Sequence, residues 1–145
     1  MDIRPLTDRF AVAPQLQPED LPALRAAGIA TLICNRPDEE VTPDIGTERM
    51  RAAAEAAGLA FIDNPVRMHA LDDAVVARQR DAAASAAPDA KALAYCASGT
   101  RSTLVWMLAE APQTDPDSLL AAARGAGYAL DALRPQLEAL HGADR

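Results

Sequence analysis

The sequence predicts an α/β domain in which helices cover both faces of a central, mostly parallel sheet. Short apolar runs alternate with helical segments at least three times, which is the pattern of repeated strand and helix units. Half of the 145 residues are hydrophobic but only 3% are aromatic, which suits alanine-rich helices packed closely on a flatter layer. The length indicates a single stand-alone domain, residues 1–145, and no repeat or low-complexity linker divides it.

The first half of the chain contains two predicted strands, each followed by a helix. Residues 9–13 form a short strand, and Asp20 is expected to cap a helix that ends at the next glycine. The apolar run IATLIC, residues 29–34, predicts a buried strand, and the polar stretch after it predicts a loop. Thr47 is expected to cap the second helix, which again ends at a glycine.

The same order continues after the second helix. LAFID, residues 59–63, predicts a third strand, and Asp72 is expected to cap a long helix. KALAYC, residues 91–96, predicts the next strand, and a helix should begin near Arg101. These alternating elements account for the predicted sheet.

The remainder of the chain is predicted to be helical. The stretch Thr114-Asp115-Pro116-Asp117 is typical of a helix N-cap, with proline in the first turn. Asp131 is expected to cap a last helix, which Pro135 should interrupt.

The charge argues against nucleic acid or an anionic membrane as a partner. The formal net charge is −7 and the isoelectric point is near 4.7, whereas both of those partners require a basic surface. Two cysteines provide no disulfide framework, and the sequence shows neither a signal peptide nor an apolar stretch that could span a bilayer. We expect a cytoplasmic protein with free thiols, and the oligomeric state stays open.

YCASGTRSTL, residues 95–104, is the segment that points to chemistry. Cys96 ends a predicted strand just before a predicted helix, and ligands of open α/β sheets collect beyond the carboxyl ends of the strands. Gly99 can adopt a positive φ, so that successive N–H groups turn inward as an anion-binding nest. Arg101 can add a two-pronged, permanently charged donor. The expected oxyanion-binding residues are Ala97, Ser98, Gly99, Thr100 and Ser102.

These features favour a reactive thiolate at Cys96 over a buried, inert cysteine. The helix dipole, the nest and Arg101 would all stabilise negative charge on the sulfur. We therefore expect Cys96 to be the catalytic nucleophile and Arg101 to bind the oxyanion. No cofactor is expected, and no metal site either, because the two cysteines and two histidines lack ligand spacing.

The pattern Cys-x-x-Gly-x-Arg-Ser after a strand resembles the active-site loop of rhodanese-type sulfurtransferases and, with one more residue, that of cysteine-dependent phosphatases. Four segments together resemble the beta-lactamase-hydrolase-like phosphatase domain family: GIATLICNRPDEE, GLAFIDNPV, AYCASGTRS and AARGAGYALDALRPQLEAL. They keep their order over about residues 3–140. The resemblance implies a three-layer fold like that of the dual-specificity phosphatases, with a loop of sulfurtransferase length.

Loop length and missing groups favour sulfur transfer over phosphate hydrolysis. Four residues separate Cys96 from Arg101, whereas the phosphatases that this chain resembles have five, and the tighter cradle suits a sulfur carried on cysteine. Tyr95 stands where those phosphatases have a histidine. The acid that would protonate a leaving group should follow the segment NPV, where the chain offers only imperfect substitutes. These are Asp63, His69, Asp72 and Asp73.

The leading hypothesis is therefore a rhodanese-like sulfurtransferase that forms a persulfide on Cys96. Its partners would be a small sulfur donor, thiosulfate or a persulfide, and a thiol or cyanide-like acceptor. The alternative is a cysteine-dependent phosphatase, and a third hypothesis is a non-catalytic, anion-binding regulatory module. Cys34 could resolve an oxidised Cys96, although a packed side chain is the simpler interpretation. Arg36 and His69 could be accessory residues at the rim of the site.

Overall fold

A five-stranded sheet forms the centre of the computed structural model, which describes residues 1–143. The strands lie in the order β1-β2-β5-β3-β4, so the last strand of the chain is inserted between the second and the third. All neighbours are parallel except β1 and β2, which confirms the predicted, mostly parallel sheet. The two-residue strand β1 was not indicated by any pattern. The bounds are β1 Arg4–Pro5, β2 Phe10–Ala13, β3 Ile29–Cys34, β4 Ala60–Asp63 and β5 Lys91–Tyr95.

The strand β5 lies in the middle of the sheet, between β2 and β3. Tyr95 is aligned with Ala13 of β2 on one side and with Cys34 of β3 on the other. The carboxyl ends of these three parallel strands therefore lie at one edge, where the loops that follow them meet. Cys96 comes directly after β5 and lies at the centre of this edge.

Helices cover both faces of the sheet and enclose two main hydrophobic cores. The sheet separates these cores, and successive side chains of β5 point into different ones. Leu93 and Tyr95 lie in the core that α1 and α2 cover. Ala92 and Ala94 lie in the core that α3 to α6 cover. Among residues 1–143, no helix is both long enough and apolar enough to cross a membrane. The helices are α1 Leu21–Ala26, α2 Thr47–Ala56, α3 Asp73–Ala84, α4 Thr100–Glu110, α5 Pro116–Gly125 and α6 Arg134–Ala143.

Four predicted helix caps or boundaries differ from the structure. Asp131 does not cap the last helix, because it lies in a 3₁₀ turn before α6 and its carboxylate accepts a hydrogen bond from Arg124. Asp20 occupies the N-cap position of α1 as predicted, but its carboxylate accepts the N–H of Gln17 at 2.9 Å in the short 3₁₀ turn before the helix and makes no cap hydrogen bond to α1. Gly46 is the N-cap of α2, and Thr47 is the first residue of that helix. Pro135 is the second residue of α6, so it helps to begin the helix and does not interrupt it.

Candidate active site

Cys96 lies in the short loop between β5 and α4, with its thiol at the N-terminus of α4. The residue is 1% exposed, and its Sγ accepts a hydrogen bond from the N–H of Gly99 at 3.2 Å. Gly99 is the N-cap of α4 and has a φ of 97°, the left-handed conformation that glycine adopts without strain. The loop therefore directs a backbone donor at the sulfur.

The first turn of α4 carries donors that have no protein acceptor among residues 1–143. The N–H groups of Arg101 and Ser102 belong to this turn, where an α-helix has no internal acceptors. The Ser102 Oγ is fully buried and makes no hydrogen bond within the described chain. Unsatisfied donors at the positive end of a helix favour a bound anion.

Two acceptors from other loops hold the guanidinium of Arg101. Its Nη1 donates to Glu40 Oε2 at 2.8 Å and to the carbonyl of Val66 at 2.9 Å, and its Nη2 donates to Glu40 Oε1 at 2.8 Å. The hydrogen bonds to Glu40 raise the pKa of Arg101 against the opposing effect of burial, and the interaction with Cys96 adds to the rise. The guanidinium therefore lies within interaction range of the thiol.

One edge of the Arg101 guanidinium remains available. A guanidinium has five N–H donors, and the contacts with Glu40 and Val66 use three of them. The Nε–H and the second Nη2–H have no oxygen acceptor within residues 1–143. This pair matches two oxygens of a phosphate group, so Glu40 holds the side chain by one edge and leaves the other edge open.

Further ion pairs tie the loops at the rim together. Arg36 donates to the Glu40 carboxylate at 3.4 Å, to the Glu40 carbonyl at 3.3 Å and to Gln15 at 3.2 Å. Arg67 makes a two-pronged pair with Glu39, whose hydrogen bonds lower the pKa of Glu39 to about 2. The segments that follow β3 and β4 are thus joined to each other, and Glu40 joins the first of them to Arg101.

In the described part of the chain, none of the four predicted acids forms a hydrogen bond with the nucleophile loop. Asp72 caps α3 as predicted, and Asp73 lies exposed in the first turn of that helix. Partial burial and the charge of Asp38 raise the pKa of Asp63, which ends β4. His69 lies exposed in a 3₁₀ turn. Each of these side chains is therefore committed elsewhere or faces solvent.

Cys34 and Tyr95 lie side by side on neighbouring strands, on the face of the sheet that α1 and α2 cover. Burial raises the pKa of Cys34, whose thiol donates to the carbonyl of Arg36 at 3.4 Å. Burial and the nearby Cys34 also raise the pKa of Tyr95, whose hydroxyl makes no hydrogen bond of normal geometry in the described chain. Tyr95 therefore does not extend towards α4, and a resolving role for Cys34 stays a prediction.

A buried network of amide side chains supports the segment that carries Val66. Asn35 Nδ2 donates to the carbonyl of Asn64 at 2.8 Å and to Gln79 Oε1 at 2.9 Å, and Asn64 Nδ2 donates to the same Oε1 at 3.0 Å. The N–H of Val66 donates to the carbonyl of Asn35 at 2.8 Å. The network therefore fixes the backbone whose carbonyl binds Arg101.

Two residues of the site were not predicted from the sequence. Glu40, which binds Arg101, comes four residues after Arg36, and that spacing indicated only a polar loop. Tyr128, whose hydroxyl donates to the carbonyl of Ser98 at 2.9 Å, is 30 residues away along the chain. No local pattern connects it with the loop.

The family profile and the curated relatives that match this chain indicate the same protein family. The profile of the family described as "Beta-lactamase hydrolase-like protein, phosphatase-like domain" matches residues 2–113. The Beta-lactamase hydrolase-like protein of Agrobacterium fabrum is 30% identical over 106 residues, which are 73% of this chain and 24% of that protein. The chain therefore spans about a quarter of the length of the curated relatives it matches.

Solved structures share the fold over nearly the whole chain. A candidate phosphatase from Neisseria meningitidis Z2491 has a TM-score of 0.82 and 31% identity, with 97% of this chain and 99% of that chain covered. TpbA of P. aeruginosa, solved in complex with pTyr, has a TM-score of 0.68 and 15% identity, with 99% and 90% covered. The predicted three-layer α/β fold of the dual-specificity-phosphatase type is confirmed.

The prediction of a rhodanese-like sulfurtransferase is wrong, and so are its partners, a thiosulfate or persulfide donor and a thiol or cyanide-like acceptor. The matching family is phosphatase-like, and the Neisseria structure is of a candidate phosphatase. Loop length was a poor guide to the reaction, because Arg101 is the second residue of α4 and the direction of its side chain depends on the helix and on Glu40. An arginine at a helix N-terminus suits oxyanions in either reaction, so the pattern could not distinguish them. The prediction of an enzyme is supported.

The family profile covers most of the chain, including β1 to β5 and the loop that contains Cys96. The chain belongs to the family described as "Beta-lactamase hydrolase-like protein, phosphatase-like domain".

Proposed function

We propose that this chain, as a single catalytic domain, is a cysteine-dependent phosphatase that hydrolyses phosphomonoesters. Cys96 is the nucleophile in this proposal, and Arg101 binds the phosphate group. The observation that carries the proposal is that the Cys96 thiol accepts the N–H of the N-cap residue of α4, and that the second residue of the same helix, Arg101, keeps two N–H groups without a protein oxygen acceptor in the described chain. Membership of a phosphatase-like family supports the same reaction.

The reaction begins when the Cys96 thiolate attacks the phosphorus atom of the ester. A P–S bond forms while the P–O bond to the leaving group breaks, and the leaving oxygen takes the bonding electron pair and then a proton from solvent water. Water attacks the phosphorus of the phosphocysteine and loses a proton to solvent, the P–S bond breaks with its electron pair going to sulfur, and inorganic phosphate is released. The thiolate is thereby restored.

The donors around the loop stabilise the charge of the phosphoryl group during both steps. Arg101 presents two N–H groups on its open edge, and the first turn of α4 adds its backbone donors and the Ser102 hydroxyl. Because these donors are fixed by the fold before substrate arrives, little reorganisation is needed in the transition state. In this proposal the predicted oxyanion-binding residues are Ala97, Ser98, Gly99, Thr100 and Ser102.

Aryl phosphates are the favoured substrate class in this proposal. A phenolate leaves with less help from an acid than an alkoxide does, and the carboxylates near the site are engaged in other contacts. Asp72 caps α3, and Glu40 is held ionised because its hydrogen bonds with Arg101 lower its pKa. The pTyr bound to TpbA is an aryl phosphate, which supports this choice.

The test is the hydrolysis of p-nitrophenyl phosphate by the wild-type protein and three variants under reducing conditions. Cys96→Ser should lower kcat by about a thousandfold or more because the nucleophile is lost. Arg101→Lys keeps the charge but loses the open edge, and should lower kcat/KM by about a hundredfold. Cys34→Ser is the matched cysteine control and should keep at least about half of the activity.

The same assay tests the substrate class when phosphoserine replaces the aryl ester. We expect the aryl ester to be hydrolysed at least about a hundredfold faster. A Cys96→Ser variant as active as the wild type would refute the proposed mechanism. A folded wild-type protein that hydrolyses neither ester would refute the proposed function itself.

A further inference from the structure

The peptide bond between Ser98 and Gly99 has a hydrogen-bond partner on each side. Its carbonyl accepts the hydroxyl of Tyr128 at 2.9 Å, and its N–H donates to Cys96 Sγ at 3.2 Å. The bond is trans, so the carbonyl and the N–H point in opposite directions. A group that fixes the carbonyl on the outside of the loop therefore fixes the donor on the inside.

Tyr128 is itself held firmly on its far side. The residue is 6% exposed, and the guanidinium of Arg4 lies 5.1 Å from the centre of its ring. Arg4 Nη1 also donates to the carbonyl of Ala126 at 3.2 Å, which fixes the segment before Tyr128. Burial raises the pKa of Tyr128, so its hydroxyl keeps its proton and stays a donor at neutral pH.

Gly99 and Tyr128 fit each other so closely that no side chain can stand between them. A Cβ added at Gly99 would overlap the Tyr128 hydroxyl and would come within 2.8 Å of its Cζ. Gly99 is thus required by its left-handed backbone and also by the position of the tyrosine. The close contact between the Tyr128 ring and Gly99 therefore depends on glycine at this position of the loop.

We propose that Tyr128 is a positioning residue for the nucleophile, because its hydroxyl keeps the Gly99 N–H directed at the sulfur of Cys96. The hydrogen bond to the Ser98 carbonyl also polarises the peptide and strengthens its N–H as a donor. Tyr128 lies outside residues 2–113, so the family match does not assign this role. The inference rests on the proposed function of Cys96 as the nucleophile.

The experiment compares Tyr128→Phe with Tyr95→Phe, the matched control in a chain that has two tyrosines. Each variant loses one buried hydroxyl, but the Tyr95 hydroxyl makes no hydrogen bond with the loop. The rate of alkylation by iodoacetamide is followed against pH, and mass spectrometry measures the Cys96 and Cys34 peptides separately. Urea unfolding shows that each variant is folded.

We expect Tyr128→Phe to slow the alkylation of Cys96 at neutral pH by up to about tenfold, the effect of one lost hydrogen bond. The half-maximal rate should move to higher pH, while the limiting rate at high pH stays the same. The Gly99 N–H and Arg101, which Glu40 holds, are present in both enzymes, and only the Tyr128 hydroxyl that binds the Ser98 carbonyl differs between them. Tyr95→Phe should leave the Cys96 profile unchanged.

A Tyr128→Phe profile that superimposes on the wild-type profile would overturn the inference, because a purely structural role would change stability alone. Hydrolysis of p-nitrophenyl phosphate separates this result from a failure of the proposed function. If the wild type does not hydrolyse the ester but Tyr128→Phe still shifts the Cys96 profile, the phosphatase proposal fails and the positioning role stands. If the wild type hydrolyses the ester and the profile does not shift, only the positioning role fails.

Discussion

Glu40 binds Arg101 through both of its carboxylate oxygens, each at 2.8 Å, along one edge of the guanidinium. A negative charge beside a phosphate site repels the substrate, yet here it also holds the residue that binds the substrate. We expect the second effect to dominate, because the pair fixes the guanidinium while leaving its Nε–H and one Nη2–H without an oxygen acceptor in residues 1–143. Glu40 is therefore expected to assist the reaction.

Replacement of Glu40 by glutamine should lower kcat/KM for p-nitrophenyl phosphate by about tenfold, which corresponds to about 1.4 kcal/mol. Glutamine offers one acceptor where the carboxylate offers two, so Arg101 loses its fixed orientation. Glu39→Gln is the matched control, because it removes the same charge from the neighbouring residue, which binds Arg67. That variant should stay within about twofold of the wild type.

Steady-state kinetics of the two variants decide this prediction. If Glu40→Gln is faster than the wild type, repulsion of the substrate outweighs the orientation of Arg101 and the prediction is wrong. Equal losses in Glu40→Gln and Glu39→Gln would show a general effect of charge.

Gln79→Ala should destabilise the fold by about 2 to 3 kcal/mol. Gln79 is 1% exposed and accepts hydrogen bonds from the buried amides of Asn35 and Asn64, which would lose this partner. Gln136→Ala is the control, because Gln136 also lies in a helix but is exposed, and it should change stability by less than about 0.5 kcal/mol. Urea unfolding measures both values, and equal effects would contradict a structural role for the network.

The pH dependence of stability should reveal the hydrogen bond of Tyr128. Burial raises the pKa of Tyr128 above the ordinary tyrosine value of 10.0, so the unfolded chain ionises first as the pH rises. The stabilising contribution is complete below the unfolded pKa and is lost as the pH rises through the folded pKa. We expect the difference in free energy of unfolding between wild type and Tyr128→Phe to be constant from about pH 7 to 9 and to fall above about pH 10.

Urea unfolding at a series of pH values measures this difference. Tyr95 titrates in both proteins, so its own ionisation cancels in the comparison. A difference that grows above pH 10 would contradict the raised pKa of Tyr128.

Local patterns predicted most of the fold. The run at residues 29–34 is the strand β3 with the same bounds, because a strand buried on both faces is continuously apolar. Asp72 and Asp115 cap their helices as predicted, since each carboxylate accepts an N–H three residues along the chain. The Asp20 side chain bonds within the 3₁₀ turn that precedes α1, and Thr47 follows the glycine that is the N-cap of α2, so neither side chain makes a cap hydrogen bond to its helix.

Long-range contacts at the site could not be predicted in the same way. The placement of Cys96 at a strand end before a helix followed from local sequence, whereas the contacts of Arg101 with Glu40 and Val66 arise only when three loops meet. The choice of reaction was wrong for a related reason. The number of residues between Cys96 and Arg101 does not determine the orientation of the arginine side chain, which depends on α4 and on its ion pair with Glu40.

Trapping of the phosphocysteine shows directly whether Cys96 is the nucleophile. The wild-type protein is mixed with p-nitrophenyl phosphate, quenched in acid within the first turnover and digested, and the Cys96 and Cys34 peptides are analysed by mass spectrometry. We expect one phosphoryl group on the Cys96 peptide, none on the Cys34 peptide, and none on either peptide in Cys96→Ser. Rapid turnover by the wild type with no phosphoryl group on Cys96, and with Cys96→Ser equally active, would contradict this expectation.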